Sequence, residues 1–228
     1  ADNEAWVDQT FEKCDDILHR QVYLGQGRQE GLLVYVEVAV SNLMLEEHVI
    51  GLSDVQPLKS YAEGKAALLA GNGLLFLDGD TNCYKISSKG YPGLGVKKAE
   101  NEKVIRGSQE AFTESEKINV ALIRKRLRDS RMKVEEQTVG VRSHTMTALV
   151  YMEDLIYQGL LTTMKQQLQR YEIDGILDSG MLEQLSEKHW LSPFPQFQTT
   201  ERPDRAAAAV LEGRIVLVTD HSPQVLIL

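Results

Sequence analysis

Three adjacent residues near the end of the sequence, Asp220, His221 and Ser222, are the side-chain types of a hydrolytic triad. Such a triad must align a nucleophile, a base and an orienting carboxylate over successive hydrogen bonds. Neighbouring residues of one turn cannot reach that arrangement, and Pro223 follows them directly. The sequence therefore predicts a turn at this position rather than a nucleophilic site.

Other patterns of catalysis, metal binding or cofactor binding are absent from the sequence. There is no G-x-S-x-G, and Gly25 with Gly27 lacks the third glycine of a dinucleotide loop. The five histidines never show the H-x-x-H or H-E-x-x-H spacing of a metal site. Cys14 and Cys83 have no paired spacing, so we expect two free thiols. We predict no enzyme activity, no metal and no cofactor.

Charged residues are distributed unevenly along the chain. The net charge of −8 argues against a nucleic-acid partner held by bulk electrostatics. One segment is nevertheless basic, with Arg124, Lys125, Arg126, Arg128, Arg131 and Lys133. The simplest interpretation is the solvated side of a helix and the start of a strand. Alternatively, Arg124 and Arg126 bridge acids of another lobe or another subunit.

The C-terminal stretch gives the sharpest prediction of local structure. Pro203 suits a first helical turn, Ala206 to Ala209 favour the helix, and Gly213 would end it in the left-handed conformation. The β-branched run from Ile215 to Thr219 and the apolar run from Val225 to Leu228 predict two strands. The turn at Asp220 would join them.

Apolar spacing predicts several elements in the first half. Val7, Phe11, Cys14 and Leu18 recur at the spacing of one amphipathic helix. The run from Leu32 to Val40 predicts a strand buried on both faces, as in a parallel sheet. Further predictions are a helix after Asn42, a helix from Tyr61 to Leu69, and a hairpin around Asp78-Gly79-Asp80.

Glycine, proline and charge between Ser87 and Lys103 predict a domain boundary. The 228 residues would then form a first lobe, 1–103, and a second lobe, 104–228, although the last hairpin could return to either sheet. Predicted elements of the second lobe are a helix opened by a capping box at Thr113-x-x-Glu116, strands at Met132 to Val141 and Thr145 to Met152, a helix from Ile156 to Leu168, and a shorter helix capped by Asp178.

Two sequence matches suggest that the lobes repeat one unit. Leu33-Val34-Tyr35-Val36-Glu37 matches Leu149-Val150-Tyr151-Met152-Glu153 at an offset of 149 − 33 = 116 residues. Leu69-x-Gly71 with Asp78 matches Leu211-x-Gly213 with Asp220 at an offset of 211 − 69 = 142 residues. Chance similarity between strands and hairpins is the alternative. We predict an α/β protein of two lobes, each a small mixed sheet with packed helices. Our hypothesis is that the two lobes arose by duplication. If the duplication is real, we expect a groove for a small ligand between the lobes.

A series of short motifs runs in a fixed order through the second half. It comprises Arg106-Gly107 with Glu110, Phe112, Thr113 and Glu114, then Asn119 to Arg126, Asp174 to Gly180, Ser192 to Gln196, and Thr200 to Asp204. In this order the motifs resemble the GerA family of spore germination proteins, the A subunits of nutrient germinant receptors. The resemblance covers about Val104 to the end. This chain departs from the family at Ser108, Gln109 and Ala111, and at His221, where the family usually has glycine.

The resemblance implies a receptor role in spore germination. No apolar run reaches the roughly 18 residues of a membrane helix, so we expect the chain as given to be a soluble N-terminal region. The resemblance implies that the full-length protein is anchored in the spore inner membrane, with this region on the cytoplasmic, spore-core side. The implied partners are the receptor B and C subunits and, in the membrane, further copies of the chain. Nutrients such as amino acids, sugars or nucleosides would be the triggers, with ion release through the membrane part. The alternative is a free-standing small-molecule binding protein with an inter-lobe groove.

The motif positions give the candidate site residues. They are Arg106, Glu110, Glu114, Asn119, Arg124, Arg126, Glu201, Arg202 and Asp204. We interpret them as a mainly architectural network, in which opposite charges at two helix starts pair across the junction of the lobes; ligand or partner contact is the alternative. The resemblance also suggests that the basic segment rests on anionic lipid headgroups, at about 1 kcal/mol per basic residue.

Overall fold

The computed structural model describes residues 2–24, 29–39, 55–87, 98–187 and 195–228. The chain divides into two compact units, a first unit of Ala1–Gly93 with Arg128–Ser130, and a second unit of Leu94–Leu127 with Arg131–Leu228. Each unit contains one five-stranded sheet with helices packed on it. The prediction of two α/β lobes is therefore confirmed. The sheets were expected to be mixed, but every described strand pair is antiparallel.

The first unit has two described helices and a sheet of strand order β1-β2-β4-β5-β3. Its elements are α1 (Asp2–Thr10), β1 (Ile17–Leu24), β2 (Gln29–Val36), β3 (Val55–Leu58), α2 (Tyr61–Leu69), β4 (Gly73–Leu77) and β5 (Cys83–Ile86). Both helices pack on one face of the sheet, where Val7 and Phe11 meet Leu68 and Phe76. The predicted helix from Tyr61 to Leu69 and the β4–β5 hairpin are confirmed.

Two local predictions for this unit are wrong. The first helix ends at Thr10, and Leu18 lies in β1. Cys14 is buried as expected, but it reaches the core from a turn in which Lys13 has a φ of 59°. Val7, Phe11, Cys14 and Leu18 have the spacing of one long helix, but they belong to a helix, a turn and a strand that pack against the same core. β2 has antiparallel neighbours on both sides, so its apolar run reflects central position rather than a parallel sheet. The helix predicted after Asn42 lies outside the described residues.

The second unit is a sheet of strand order β6-β7-β9-β10-β8 between two layers of helices. Its elements are α3 (Glu116–Arg124), β6 (Met132–Val139), β7 (Thr145–Met152), α4 (Gln158–Arg170), α5 (Ser179–Ser186), β8 (Gln198–Thr200), α6 (Pro203–Leu211), β9 (Val216–Thr219) and β10 (Val225–Ile227). Helices α3 and α6 pack on one face, and α4 and α5 pack on the other. Ala206, Ala207 and Ala209 of α6 lie in the first of these cores, and their small side chains let the helix approach the sheet closely.

The start of α3 differs from the prediction. Ser115 is the N-cap residue, and its side chain makes no capping hydrogen bond. Thr113 Oγ1 instead accepts from the Ser115 N–H at 3.2 Å. The N–H of Glu116 donates to Asp220 Oδ1 at 3.1 Å, so a residue of the β9–β10 turn caps this helix. The predicted cap of Asp178 on α5 is confirmed by its bond from the Met181 N–H at 2.8 Å.

Both units repeat one fold. Their strand orders correspond position by position, and α2 and α6 have the same length at the offset found in the sequence. The cross-strand pair Leu33–Leu75 corresponds to Leu149–Leu217 under the two offsets. The glycine after each helix has a positive φ, 87° in the first unit and 81° in the second. The matched strands therefore occupy equivalent places, as the duplication hypothesis requires.

Candidate functional site

The family-type motifs of the second unit begin in an irregular segment, residues 98–114, which we call the motif loop. Lys98 and Glu110 form an isolated antiparallel bridge, and the Ala99 N–H donates to the Gln109 carbonyl at 3.2 Å. These bonds close the segment between them into a compact loop. The Phe112 N–H then donates to the Glu201 carbonyl at 2.8 Å, which fixes the end of the loop beside α6.

Glu110 fastens the motif loop to the end of α3. Its carboxylate accepts from Lys125 Nζ at 2.8 Å and from Arg126 Nη2 at 2.5 Å. Arg126 also donates to Ser108 Oγ and to the Leu122 carbonyl. Partial burial raises the pKa of Glu110, but the hydrogen bonds and charges of the two cations outweigh it, so the pKa lies below its ordinary value. Glu110 therefore stays ionised and holds the loop at neutral pH.

Glu201 and Glu102 fasten the same loop to the start of α6. The buried carboxylate of Glu201 accepts from the N–H groups of Asn101 and Glu102, at 2.6 and 2.5 Å. In return, Glu102 Oε2 accepts from Thr200 Oγ1 at 2.5 Å and from the Glu201 N–H at 3.2 Å. Glu102 also pairs with Arg205. Two carboxylates thus bind each other's backbone across the junction of loop and helix.

Arg202 and Asp204 pair with each other on α6. Two hydrogen bonds join them, Nε to Oδ1 at 3.1 Å and Nη2 to Oδ2 at 2.5 Å. This bond to Asp204 raises the pKa of Arg202. Burial raises the pKa of Asp204, but the bond and charge of Arg202 outweigh it and lower the pKa overall. Glu110 pairs with the end of α3 and Arg202 with its own helix, so the pairing predicted between two helix starts is not observed in the second unit.

Besides Glu201, two of the predicted site residues are buried. Asn119 is fully buried; its Oδ1 accepts from the Thr113 N–H at 2.7 Å, and its Nδ2 donates to the carbonyls of Thr113 and Ser222. Arg124 is also fully buried and donates to the Met132 carbonyl at 3.0 Å. Asn119 therefore joins the end of the motif loop to the β9–β10 turn, and Arg124 joins α3 to β6.

The predicted solvated basic face is correct for the exposed Arg128 and Arg131 but wrong for the other four cations. Besides Arg124, Lys133 is buried and lies 3.3 Å from Glu153. Lys125 and Arg126 are held by Glu110, and Arg131 pairs with Asp154 at 2.6 Å. Arg106 and Glu114 are exposed.

The family model described as Bacillus/Clostridium GerA spore germination protein matches residues 44–228. The chain belongs to the GerA family. It is 32% identical over 237 residues to the uncharacterized membrane protein YfkQ of Bacillus subtilis (strain 168), covering 94% of this chain and 46% of that protein. It is 29% identical over 251 residues to spore germination protein KA of Bacillus subtilis (strain 168), covering 100% of this chain and 46% of that protein. The chain thus spans about half the length of these curated relatives.

The fold is shared with a solved GerA-family structure. The crystal structure of the N-terminal domain of the A subunit of the Bacillus megaterium spore germinant receptor GerK3 matches with a TM-score of 0.75 and 24% identity. The match covers 99% of this chain and 92% of that chain. The resemblance predicted from the motifs is therefore confirmed. Among the described helices, none has the length and apolar character needed to cross a membrane.

This GerA-family chain has His221 where the family usually has glycine, and the backbone conformation there is one that suits glycine. His221 has a φ of 62°, a left-handed conformation that glycine adopts without a steric penalty. Gly79 is the equivalent residue of the first unit, with a φ of 78°. Of the other departures, Ala111 is buried and Ser108 accepts from Arg126.

Sequence reasoning missed three residues of this site. Asp220 caps α3, Glu102 binds the start of α6, and Arg205 pairs with Glu102. The sequence match already paired Asp220 with Asp78, but it gave no signal that Asp220 caps α3. Glu102 gave no local signal, because its partners lie about a hundred residues away in the sequence.

Two cavities of the described structure are relevant to ligand binding. One of about 210 Å³ lies beside the motif loop and includes Lys98, Lys103 and Gln109. The other, of about 310 Å³, lies in the first unit, and five of its twelve lining residues are acidic. No group of histidine, cysteine, aspartate and glutamate suited to a metal ion occurs among the described residues.

Proposed function

We propose that this chain is the N-terminal region of a nutrient germinant receptor A subunit and that it relays a nutrient signal during spore germination. The observation that carries the proposal is the convergence of the GerA motifs on one structural joint. Glu110 holds the motif loop on α3, and Glu201 holds it on α6. Most of the charged groups at this joint form ion pairs or hydrogen bonds with one another. This favours a rigid element that relays a signal over a site that contacts the nutrient.

The proposal extends to the longer protein of which such a region is part. It is a membrane protein of the spore inner membrane, with this region on the spore-core side. It works with the receptor B and C subunits and with further copies of itself. Amino acids, sugars or nucleosides trigger the complex, ion release through the membrane part follows, and no catalytic step belongs to this region. The support is the family membership and a relative named as a membrane protein.

The proposal is tested by breaking the joint in the full-length protein. Glu201→Gln removes the charge that binds two backbone N–H groups, and Glu212→Gln at the exposed end of α6 is the matched control. Spores carrying each variant are exposed to amino acids, sugars and nucleosides, and germination is followed by the fall in optical density. Protein amounts in the spore membrane are measured in parallel. We expect Glu201→Gln to slow germination at an unchanged protein amount, with the control behaving as the parent.

Two results would contradict the proposal. Deletion of the gene without any change in germination by these nutrients would exclude a receptor role. Calorimetric titration of this chain with the same nutrients separates relay from sensing. A saturable binding heat that is lost when one nutrient-contacting residue is replaced would assign sensing to this region.

A further inference from the structure

Three polar side chains form a row across neighbouring strands of the second sheet. Gln137 of β6 pairs with Thr147 of β7, and Thr147 pairs with Thr219 of β9. Residues that lie directly opposite each other on neighbouring strands point to the same face of a sheet. Leu149 and Leu217, two residues away on β7 and β9, pack in the core that α4 and α5 cover. Because side chains alternate along a strand, the polar row faces the same two helices.

The row carries three buried polar atoms that have no hydrogen-bond partner in the described part of the chain. These atoms are Gln137 Nε2, Thr147 Oγ1 and Thr219 Oγ1, and both threonines are fully buried. Thr145, two residues earlier on β7, is also buried, but its hydroxyl donates to the Ile176 carbonyl. A buried polar group without a partner costs more stability than a hydrogen bond contributes. Three such atoms in one row therefore indicate a bound partner.

The separation of the strands fits one water molecule. Neighbouring strands lie about 4.8 Å apart, and two O–H···O hydrogen bonds of about 2.8 Å span up to about 5.6 Å. One water can therefore reach the hydroxyl oxygens of Thr147 and Thr219 together, and the longer side chain of Gln137 reaches it from β6. Three hydrogen bonds are the usual number for a buried water. The row contains no charged group, which disfavours an ion as the occupant.

We propose that Gln137, Thr147 and Thr219 bind one ordered internal water that joins β6, β7 and β9. The water accepts from Gln137 Nε2 and donates to the two threonine hydroxyl oxygens. Thr219 is followed by Asp220, the residue that caps α3, so the water supports the strand end that carries this cap. The strand register and the three unpartnered atoms carry the inference, which does not depend on the proposed receptor role.

Replacement of each threonine by valine tests the proposal by the sign of its effect. Valine is also β-branched and lacks only the hydroxyl. If the hydroxyl had no partner, its removal would stabilise the chain. With the water bound, we expect Thr147→Val and Thr219→Val each to lower the melting temperature by about 3–10 °C, because the other atoms of the row lose their partner. Thr138→Val, at an exposed position of β6, is the control and should change it by no more than about 2 °C.

The double variant tests whether one water is shared by the two hydroxyls. If it is shared, the first valine already removes the water, and the second valine costs little. We expect the double variant to melt within about 2 °C of the less stable single variant. A high-resolution crystal structure of the parent chain should show a water about 2.5–3.2 Å from Thr147 Oγ1, Thr219 Oγ1 and Gln137 Nε2. The same structure of the double variant should lack this water.

Several results overturn the proposal. A single variant that melts with the control or above the parent would show that the threonine hydroxyls hold no water. Additive falls in the double variant would show two independent contacts rather than one shared water. A parent crystal structure without this water, or with a direct hydrogen bond between the two threonines, would exclude the site. Circular dichroism at low temperature checks that each variant starts from the folded state.

Discussion

Replacement of Asn119 by alanine tests whether the GerA motifs are structural. Asn119 is fully buried, and its side chain makes four hydrogen bonds, to the Thr113 N–H, Oγ1 and carbonyl and to the Ser222 carbonyl. A buried hydrogen bond contributes about 0.5–1.5 kcal/mol, and groups left without a partner cost more, so Asn119→Ala should destabilise the chain by about 2–4 kcal/mol. In a chain of this length 1 kcal/mol changes the melting temperature by about 2–4 °C, so we expect a fall of about 4–16 °C.

The assay is thermal unfolding followed by circular dichroism. Gln166→Ala, an exposed amide on α4, is the control and should change the melting temperature by no more than about 2 °C. Asn119→Asp keeps the acceptor for the Thr113 N–H but loses the two donated bonds, so it should fall between the parent and the alanine variant. If Asn119→Ala melted with the control, the motif asparagine would not hold the loop, and the architectural interpretation would be refuted.

Three further predictions follow from the same geometry. Arg202→Ala should lower the melting temperature by only about 0–4 °C, because its partner lies two residues away on a partly exposed helix start; a fall above 10 °C, as for a buried network, would contradict this. The pKa of Glu110 is lowered in the folded state, so its stabilisation is present above the ordinary value of 4.5 and is lost as pH falls through the folded value. The melting temperature of Glu110→Gln should therefore depend less on pH below 4.5 than that of the parent. Parallel plots of melting temperature against pH for parent and variant would exclude a stabilising contact of Glu110 with Lys125 and Arg126. Gly213→Ala should destabilise more than Gly79→Ala although both φ angles are positive, since only the Gly213 Cβ would lie 2.7 Å from the Leu155 carbonyl oxygen; equal melting temperatures would refute this steric argument.

Local chemistry determined several elements that the sequence predicted correctly. Pro203 starts α6 and Gly213 ends it, because the first residue has a fixed φ and the second tolerates a positive one. The hairpins follow from short apolar strands on either side of a short polar turn. The repeat was also visible in the sequence, because Leu33 to Glu37 match Leu149 to Glu153 and Leu69-x-Gly71 matches Leu211-x-Gly213.

Tertiary structure alone decided the burial and the pairing of the polar residues. Arg124 lies in a segment that reads as a solvated basic face, but packing of α3 on the sheet places it in the interior beside the Met132 carbonyl. Glu201 and Asp220 bind groups about a hundred residues away, which no local pattern specifies. The apolar spacing up to Leu18 likewise fits a helix or a helix followed by a turn and a strand. Side chains reach one core from either arrangement, so the choice belongs to the contacts of the folded chain rather than to the spacing of its residues.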